Sequence, residues 1–397
     1  MIIELFVTIV SALVGSISGI IPGIHPNLVA SVIFSSKDAL AVIIPEKNLA
    51  IGIIVLTFAN SVTNFVASCY FGVPESDNCA TVLPGHRYLL RGKAHEAVMI
   101  TVISSILSLL SLIAVTPILI WITPIIYENI KKFIGYILIL CVLYFIVNEK
   151  KSKVLAMVVF TLSGILGMIV LNMNNLREPL LPLLSGLFGV PALLMSLKKQ
   201  ENMPRQEISF PQLEKNDLFK TQASSILTGY MFSVIPSLGP SQAAIIGSKV
   251  SKLSTRGFLM LSGSLGTVNM FMSLITAYTL GKARNGSVAV ASEILAINKE
   301  TLIVIIGSLL VAVPVITVCS IMSSKILIKL INKIDYRILS IGVLIMITII
   351  VSVITRWMGL FVLCVATSTG LVAYLSDMQK NHLMGALILP TIIFFLG

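Results

Sequence analysis

The sequence predicts an all-α integral membrane protein of two inverted structural repeats, each with about five spanning helices plus re-entrant hairpin elements. Three observations lead to this fold class. Of the 397 residues, 56% are apolar and only 11% are charged, whereas about a quarter of the residues in a soluble domain are charged. One proline motif occurs twice. The Lys and Arg residues stand between the long apolar stretches, which is typical of loops beside spanning helices.

Ten apolar stretches are long enough to cross about 30 Å of hydrocarbon as helices. A polar segment separates the first five from the last five, so we expect a first repeat over 1–197, a cytoplasmic linker over 198–221 and a second repeat over 222–397. The expected spans are 48–72, 95–116, 133–148, 154–172 and 179–197, followed by 257–281, 301–323, 337–355, 357–375 and 382–396.

The distribution of basic residues orients these spans. With the linker placed in the cytoplasm, the inside loops hold 19 of the 28 Lys and Arg residues, as the positive-inside rule requires. An odd number of spans in each half then inverts the second repeat relative to the first. We therefore expect a multi-pass protein of the cell membrane with both termini external. The net charge of +11 belongs to loops, so it does not indicate a nucleic-acid partner.

The repeated motif is Pro-x-x-x-Pro, over 22–26 in the first half and 236–240 in the second. A helix from Pro26 to Ser36 would be about 16 Å long, roughly half the hydrocarbon depth. We therefore expect a re-entrant hairpin at each motif and, with two further short elements, four re-entrant elements in all. The alternative is a pair of proline kinks in ordinary spans.

Each motif predicts a binding site for ions. Pro26 and Pro240 suit the first position of a helix, and a helix N-terminus offers N–H groups and a positive dipole end to an anion. Backbone carbonyls of Ile21, Gly23, Ile235 and Ser237 are candidate sodium ligands, and no other cofactor is expected. The predicted substrate-binding residues are Pro22, Gly23, His25, Pro26, Asn27, Asn64, Glu75, Ser76, Asn78, Pro236, Ser237, Gly239, Pro240, Ser241, Gln242 and Asn269, and Ser18, Asn60, Thr63 and Thr267 add polar lining. For each polar residue the alternative is an interhelical hydrogen bond.

Acidic residues inside a membrane are functional candidates by default. Glu75 and Asp77 lie in a second short element that begins at Pro74 and ends at Pro84-Gly85, and Glu96 and Glu293 are the other candidates. The alternative is that acids in a first helical turn complement the helix dipole.

Together these motifs resemble the large membrane subunit of the tripartite tricarboxylate transporters, the TctA family. The resemblance covers nearly the whole chain and is sharpest over 15–30, 72–97 and 229–244. It implies a secondary carrier for an organic anion, a di- or tricarboxylate such as citrate, usually coupled to sodium. It also implies a small membrane subunit and an extracytoplasmic binding protein, either of which this short form could lack. Glu75, His25 and Lys282-Ala283 depart from the family pattern, which leaves the substrate open.

Other classes of function remain as alternatives. A carrier for a different small solute, a channel or a lipid scramblase would fit the same composition, and the sequence leaves a homo-oligomer open. An intramembrane hydrolase is disfavoured. His95-Glu96 lacks the second histidine that a zinc protease has four residues after the first, because Met99 stands there. The five cysteines have no paired spacing and predict neither a disulfide framework nor a metal site.

Overall fold

The computed structural model describes residues 2–21, 24–71, 82–198, 204–212, 214–331 and 336–396, and its regular structure within these ranges is entirely helical. Seven of the described helices are long and apolar enough to cross a membrane. The protein is therefore a multi-pass membrane protein.

The helices fall into two series with similar lengths in the same order. The first half contains α1 (Ile2–Ile20), α2 (Pro26–Ser35), α3 (Lys37–Ala41), α4 (Glu46–Phe71), α5 (Val82–Leu89), α6 (Ala94–Ile130), α7 (Ile134–Val147), α8 (Lys153–Leu171), α9 (Leu180–Leu184) and α10 (Val190–Lys198). The second half contains α11 (Lys215–Val234), α12 (Pro240–Val250), α13 (Thr255–Leu280), α14 (Gly286–Ile294), α15 (Lys299–Ile331), α16 (Tyr336–Leu375) and α17 (Gly385–Leu396). Helix α11 begins at Lys215, inside the segment expected to be a linker.

Equivalent glycines pack the first helix of each series against the long helix that follows. A Cβ added to Gly15 of α1 would lie 2.3 Å from the carbonyl oxygen of Leu56 in α4. A Cβ added to Gly229 of α11 would lie 2.5 Å from a side-chain carbon of Val268 in α13. The two glycines hold the same place in the repeated motif, so both halves build this close helix pair in the same way. Inversion of the halves across the membrane stays a prediction.

Helix α1 differs from the expectation at the N-terminus. It has 19 residues and is a candidate span. The prediction was that this stretch forms one arm of the re-entrant hairpin at the motif over 22–26. Helices α2 and α12 are short, with 10 and 11 residues, and at about 1.5 Å per residue neither reaches across the hydrocarbon. Whether they form hairpins that return to the same side stays a prediction.

Four of the expected spans are joined in pairs. Helix α6 runs for 37 residues through Pro117 and Pro124, so the spans expected at 95–116 and 133–148 form one apolar stretch with α7. No polar segment stops α6 at residue 116, because 117–126 is almost wholly apolar. Helix α16 likewise joins 337–355 to 357–375, but its backbone breaks at Arg356, where φ is 58°.

The last element of each half is shorter than expected. The stretches 179–197 and 382–396 were predicted as full spans, but their helices rank among the short apolar ones. In the first half the π-helical turn Ser185–Gly189 interrupts the helix, and in the second half the 3₁₀ turn Lys380–Met384 precedes α17. The seven candidate spans are α1, α4, α6 joined to α7, α8, α13, α15 and α16.

Side chains pack into two main bundles. The first bundle centres on α4 and α13, which are almost wholly buried, and includes most of α6 and α15. The second bundle combines α7 to α9 and the π-helical turn Ser185–Gly189 with α17 and the C-terminal part of α16. Each bundle thus draws helices from both halves of the chain.

A buried hydrogen-bonded pair of a carboxylate and an imidazole anchors the second bundle at one end. Glu149, in the loop between α7 and α8, lies 3.0 Å from Nε2 of His382, and both side chains are at most 2% exposed. Its carboxylate also accepts hydrogen bonds from the backbone N–H groups of Lys150, Lys151 and Gln379. Burial alone would raise the pKa of the Glu149 carboxyl, but the bonds from Gln379, Lys151 and His382 hold that pKa below its ordinary value of 4.5.

We expect this pair to make stability depend on pH. Because the pKa of Glu149 is lower in the folded protein than in the unfolded chain, its contribution is present above about pH 4.5 and is lost as the pH falls through the folded value. Glu149→Gln should lower the melting temperature at pH 7, consistent with about 1–3 kcal/mol for a disrupted buried bond. The difference from wild type should shrink toward pH 4. The exposed Glu214 provides the control, since Glu214→Gln should follow wild type at every pH. A constant difference for Glu149→Gln would contradict this interpretation.

Candidate functional site

A cavity of about 380 Å³ lies between the two bundles, a volume within the usual range for small-molecule sites. Three helices begin at its wall: α2 through His25 and Asn27, α12 through Gly239 and Pro240, and α14 through Asn285 and Gly286. Each of these helix N-termini carries roughly half a positive charge. The cavity is therefore suited to an anion.

The start of α2 is fixed by its own cap and by α14. The backbone N–H of Asn27 donates to Nδ1 of His25 at 3.3 Å. This contact caps the first turn of α2 with the His25 side chain. The Asn27 Oδ1 atom accepts from the backbone N–H and the hydroxyl of Ser287, both at 2.9 Å. A Cβ at Gly286 would approach the Asn27 amide to 2.8 Å, which shows why a glycine stands there.

The N-terminus of α12 is capped by the side chain of Gln242, which belongs to the same helix. Gln242 Oε1 accepts the backbone N–H of Gly239 at 2.9 Å, and the Gln242 side chain is fully buried behind the cavity wall. Pro240 is at the first helical position, as the sequence predicts. Before it, Ser237 takes a positive φ of 62° and shares a hydrogen bond with the hydroxyl of Thr391 in α17. This contact joins the α12 turn to the second bundle.

The loop before α14 contributes a positive charge, that of Arg284, to the cavity wall. Ser273 Oγ in α13 accepts the backbone N–H groups of Arg284 and Asn285 at 2.9 and 2.7 Å, which fixes the loop. The Arg284 guanidinium packs over the ring of Tyr127 at 5.3 Å and lines the cavity.

Two nitrogen atoms of the Arg284 guanidinium form no hydrogen bond to a described residue. Its Nε and Nη2 atoms are buried and have no hydrogen-bond partner among the described residues. Glu178 is the only acid among the described cavity-lining residues, and it forms no ion pair with Arg284. Buried N–H groups of a guanidinium cost free energy when unpaired, so an oxyanion that reaches the Arg284 guanidinium from the cavity would lower this cost.

The comparison with known proteins agrees with this architecture. The sequence profile of the tripartite tricarboxylate transporter TctA family matches residues 5–385. The chain belongs to the TctA family. An uncharacterized protein of Methanocaldococcus jannaschii is similar to this TctA chain, with 28% identity over 407 residues that cover 99% of each sequence. No solved structure matches this chain. Family and helical fold together point to a transporter rather than an enzyme.

The structure of this TctA protein brings about half of the predicted binding residues to the cavity. Those that line it are His25, Asn27, Pro236, Ser237, Gly239, Pro240 and Asn269, together with the predicted sodium ligand Ile235. Pro26, Ser241 and Gln242 are buried beside it without lining it. Asn64 lies buried within α4, and Ile21 is likewise absent from the wall. The predicted residues Pro22, Gly23, Glu75, Ser76, Asp77 and Asn78 lie outside the described residues.

Two asparagines hold equivalent places in the two halves of the TctA chain. Asn60 of α4 donates to Ser18 Oγ at 3.0 Å and to the Ile24 carbonyl at 3.3 Å, and Ser233 of α11 donates to Asn269 of α13 at 3.4 Å. For Ser18 and Asn60, the interhelical hydrogen bond is therefore the observed role. Both Ser233 and Asn269 line the cavity.

The remaining acids and hydroxyls behave as packing groups. Glu96 is buried and lies 3.2 Å from Nη2 of Arg256, so it joins the start of α6 to the start of α13. Glu293 is exposed on α14, and neither acid lines the cavity. Thr63 donates to the Ala59 carbonyl within α4, and Thr267 Oγ1 is buried without a partner among the described residues.

Sequence reasoning missed Arg284 and Glu178. Arg284 lies four residues after the end of α13, in the loop that contains Lys282-Ala283. A basic residue directly after a long buried span was the available signal. Glu178 gave no comparable signal, because the short helix that it precedes was expected to be an ordinary span.

Proposed function

We propose that this protein is a secondary active transporter that moves an organic anion bearing a carboxylate across the cell membrane. The observation that carries the proposal is the Arg284 guanidinium, whose buried Nε and Nη2 atoms have no partner among the described residues. It lines a cavity where three helix N-termini meet. Di- and tricarboxylates such as citrate are the first class to test, because the family description names tricarboxylates.

Sodium is the proposed coupling ion. The backbone carbonyls of Ile21, Gly23, Ile235 and Ser237 remain the candidate ligands. Ile21 lies before α2, Ile235 and Ser237 lie between α11 and α12, and Gly23 lies outside the described residues. Of these residues, Ile235 and Ser237 line the cavity. Hard cations such as sodium prefer oxygen ligands, and a cation beside the anion would offset part of its charge.

Alternating access is proposed to arise from movement of one bundle against the other. The cavity lies between the bundles, and the Ser237 to Thr391 contact joins the turn before α12 to α17 at the edge of this cavity. In the proposed inverted-repeat arrangement, a pseudo-two-fold axis would relate two states with equivalent contacts. These states would open the site to either side of the membrane in turn.

The auxiliary subunits of the family and a homo-oligomer are proposed partners only. A small membrane subunit and an extracytoplasmic binding protein would have to dock on the lipid-facing or external surface. The lipid bilayer itself contacts the apolar side chains exposed on α1, α8 and α17.

Uptake into proteoliposomes tests the function. Purified protein is reconstituted, and accumulation of labelled citrate and succinate is followed with an inward sodium gradient, with equal sodium on both sides, and with choline in place of sodium. A carrier predicts saturable uptake that exceeds equilibrium only with the gradient. Uptake that rises linearly with concentration would indicate a channel, and movement of labelled lipid without anion uptake would indicate a scramblase.

A further inference from the structure

A second cavity adjoins the one that contains the three helix starts. It also measures about 380 Å³, and both cavities are lined by Pro236, Ser237, Arg284 and Leu387. The Arg284 side chain is thus reachable from either one. A single ligand that holds Arg284 can extend from the first cavity into the second.

The second cavity is apolar apart from the shared residues and Thr391. Its other lining residues are Leu171 at the end of α8 and Pro390, Phe394 and Phe395 on α17. Phe394 is 80% exposed and Leu171 is 36% exposed, so the wall continues into the lipid-facing surface of these two helices. A ligand part that occupies this space gains free energy by burying hydrocarbon.

The charges in the first cavity limit the number of acidic groups that it can hold. Arg284 is the only Arg or Lys among the described residues that line either cavity, and Glu178 lines the first. A trivalent anion would have to share Arg284 and the three helix N-termini among its carboxylates, while Glu178 and leucine side chains such as Leu181 and Leu184 line other parts of the described wall, and this arrangement has a desolvation cost. One acidic group satisfies Arg284 without that cost.

We infer that the preferred substrate is a monocarboxylate with an apolar body, whose carboxylate binds Arg284 and whose hydrocarbon part lies in the second cavity. This inference rests on the proposed function and narrows its substrate class. The inferred substrate differs from the tricarboxylates that the family description names. An anionic lipid offers a similar acidic head with an apolar tail, so the experiment includes that source as a separate arm.

The test measures dissociation constants for acetate, butyrate, hexanoate, octanoate, succinate and citrate by calorimetric titration in neutral detergent. Affinity should rise about fourfold for each methylene that becomes buried, up to a chain length at which the cavity is full. Octanol, which lacks the acid, should not bind. Arg284→Gln should abolish the chain-length series.

Two matched variants on α8 locate the hydrocarbon part. Leu171→Trp narrows the second cavity and should shorten the preferred chain, while acetate affinity stays unchanged. Ile169→Trp is the control, because Ile169 is exposed on the same helix and lines neither cavity. Equal chain-length preference in wild type and Leu171→Trp would overturn the inference.

The remaining outcomes separate this inference from the proposed function. Citrate or succinate binding more tightly than every monocarboxylate, with dependence on Arg284, would overturn the inference and leave the carrier function standing. Absence of binding for all six acids would count against both. Phosphatidylglycerol added to the micelles should leave the affinities unchanged. Competition by that lipid with hexanoate, dependent on Arg284, would assign the second cavity to a lipid and overturn the inference.

Discussion

Arg284→Gln is expected to reduce the affinity for a carboxylate substrate by at least about thirtyfold, because removing one partner of a desolvated charge pair costs about 2–5 kcal/mol. The change keeps a polar side chain, although a shorter one, and removes the charge. It should leave folding intact, since the Arg284 guanidinium makes no hydrogen bond to a described residue through its Nε and Nη2 atoms. Gradient-driven uptake in proteoliposomes and the melting temperature without ligand measure the two effects.

Lys282 provides the matched control for Arg284. It lies in the same loop and also faces the ring of Tyr127, at 6.0 Å, but it lines neither cavity. Lys282→Gln should therefore keep wild-type affinity. Arg284→Lys should recover only part of the lost affinity, because an ammonium group cannot make the planar bidentate contact of a guanidinium. Equal losses for Arg284→Gln and Lys282→Gln would indicate a general effect of surface charge and contradict the site.

Gly15→Ala is expected to cause the largest loss of stability among single substitutions at the α1–α4 contact. The new Cβ would lie 2.3 Å from the Leu56 carbonyl oxygen and 2.8 Å from the Ala59 Cβ. Backbone atoms of α4 cannot move aside locally, so α1 must shift. Overpacking of this kind typically costs about 1–3 kcal/mol. The loss should appear as a lower melting temperature in detergent.

Gly307→Ala is the control for that substitution. Gly307 lies within α15, and a Cβ added there meets no atom within 4 Å. Since alanine favours a helix over glycine by about 1 kcal/mol, Gly307→Ala should leave the melting temperature unchanged or raise it. A destabilisation of equal size at both positions would show that close packing of α1 on α4 is not the cause.

Local sequence signals predicted the parts of the fold that depend on local chemistry. Pro26 and Pro240 mark helix starts because proline lacks the N–H that a first helical residue does not use. Apolar length correctly located α4, α8, α13 and α15. The same rule separated α6 from α7 incorrectly, since the residues after 116 stay apolar and the two internal prolines of α6 are accommodated.

Most of the predicted residues that line the candidate cavity belong to the repeated motif. His25, Asn27, Gly239 and Pro240 lie at the cavity because they flank the two helix starts. Arg284 and Glu178 reach the same cavity from loops far apart in the sequence, and only the packing of the two bundles brings them together. No local pattern in a single sequence encodes such a long-range arrangement.

The most direct test of the central claim is thermal unfolding of the purified protein with carboxylates, each with sodium and with choline. A ligand that binds only the folded state raises its stability by mass action. We predict that at least one carboxylate raises the melting temperature of wild type, more with sodium than with choline, and has no effect on Arg284→Gln. Equal stabilisation of wild type and Arg284→Gln, or no stabilisation of either, would contradict an anion site in this cavity.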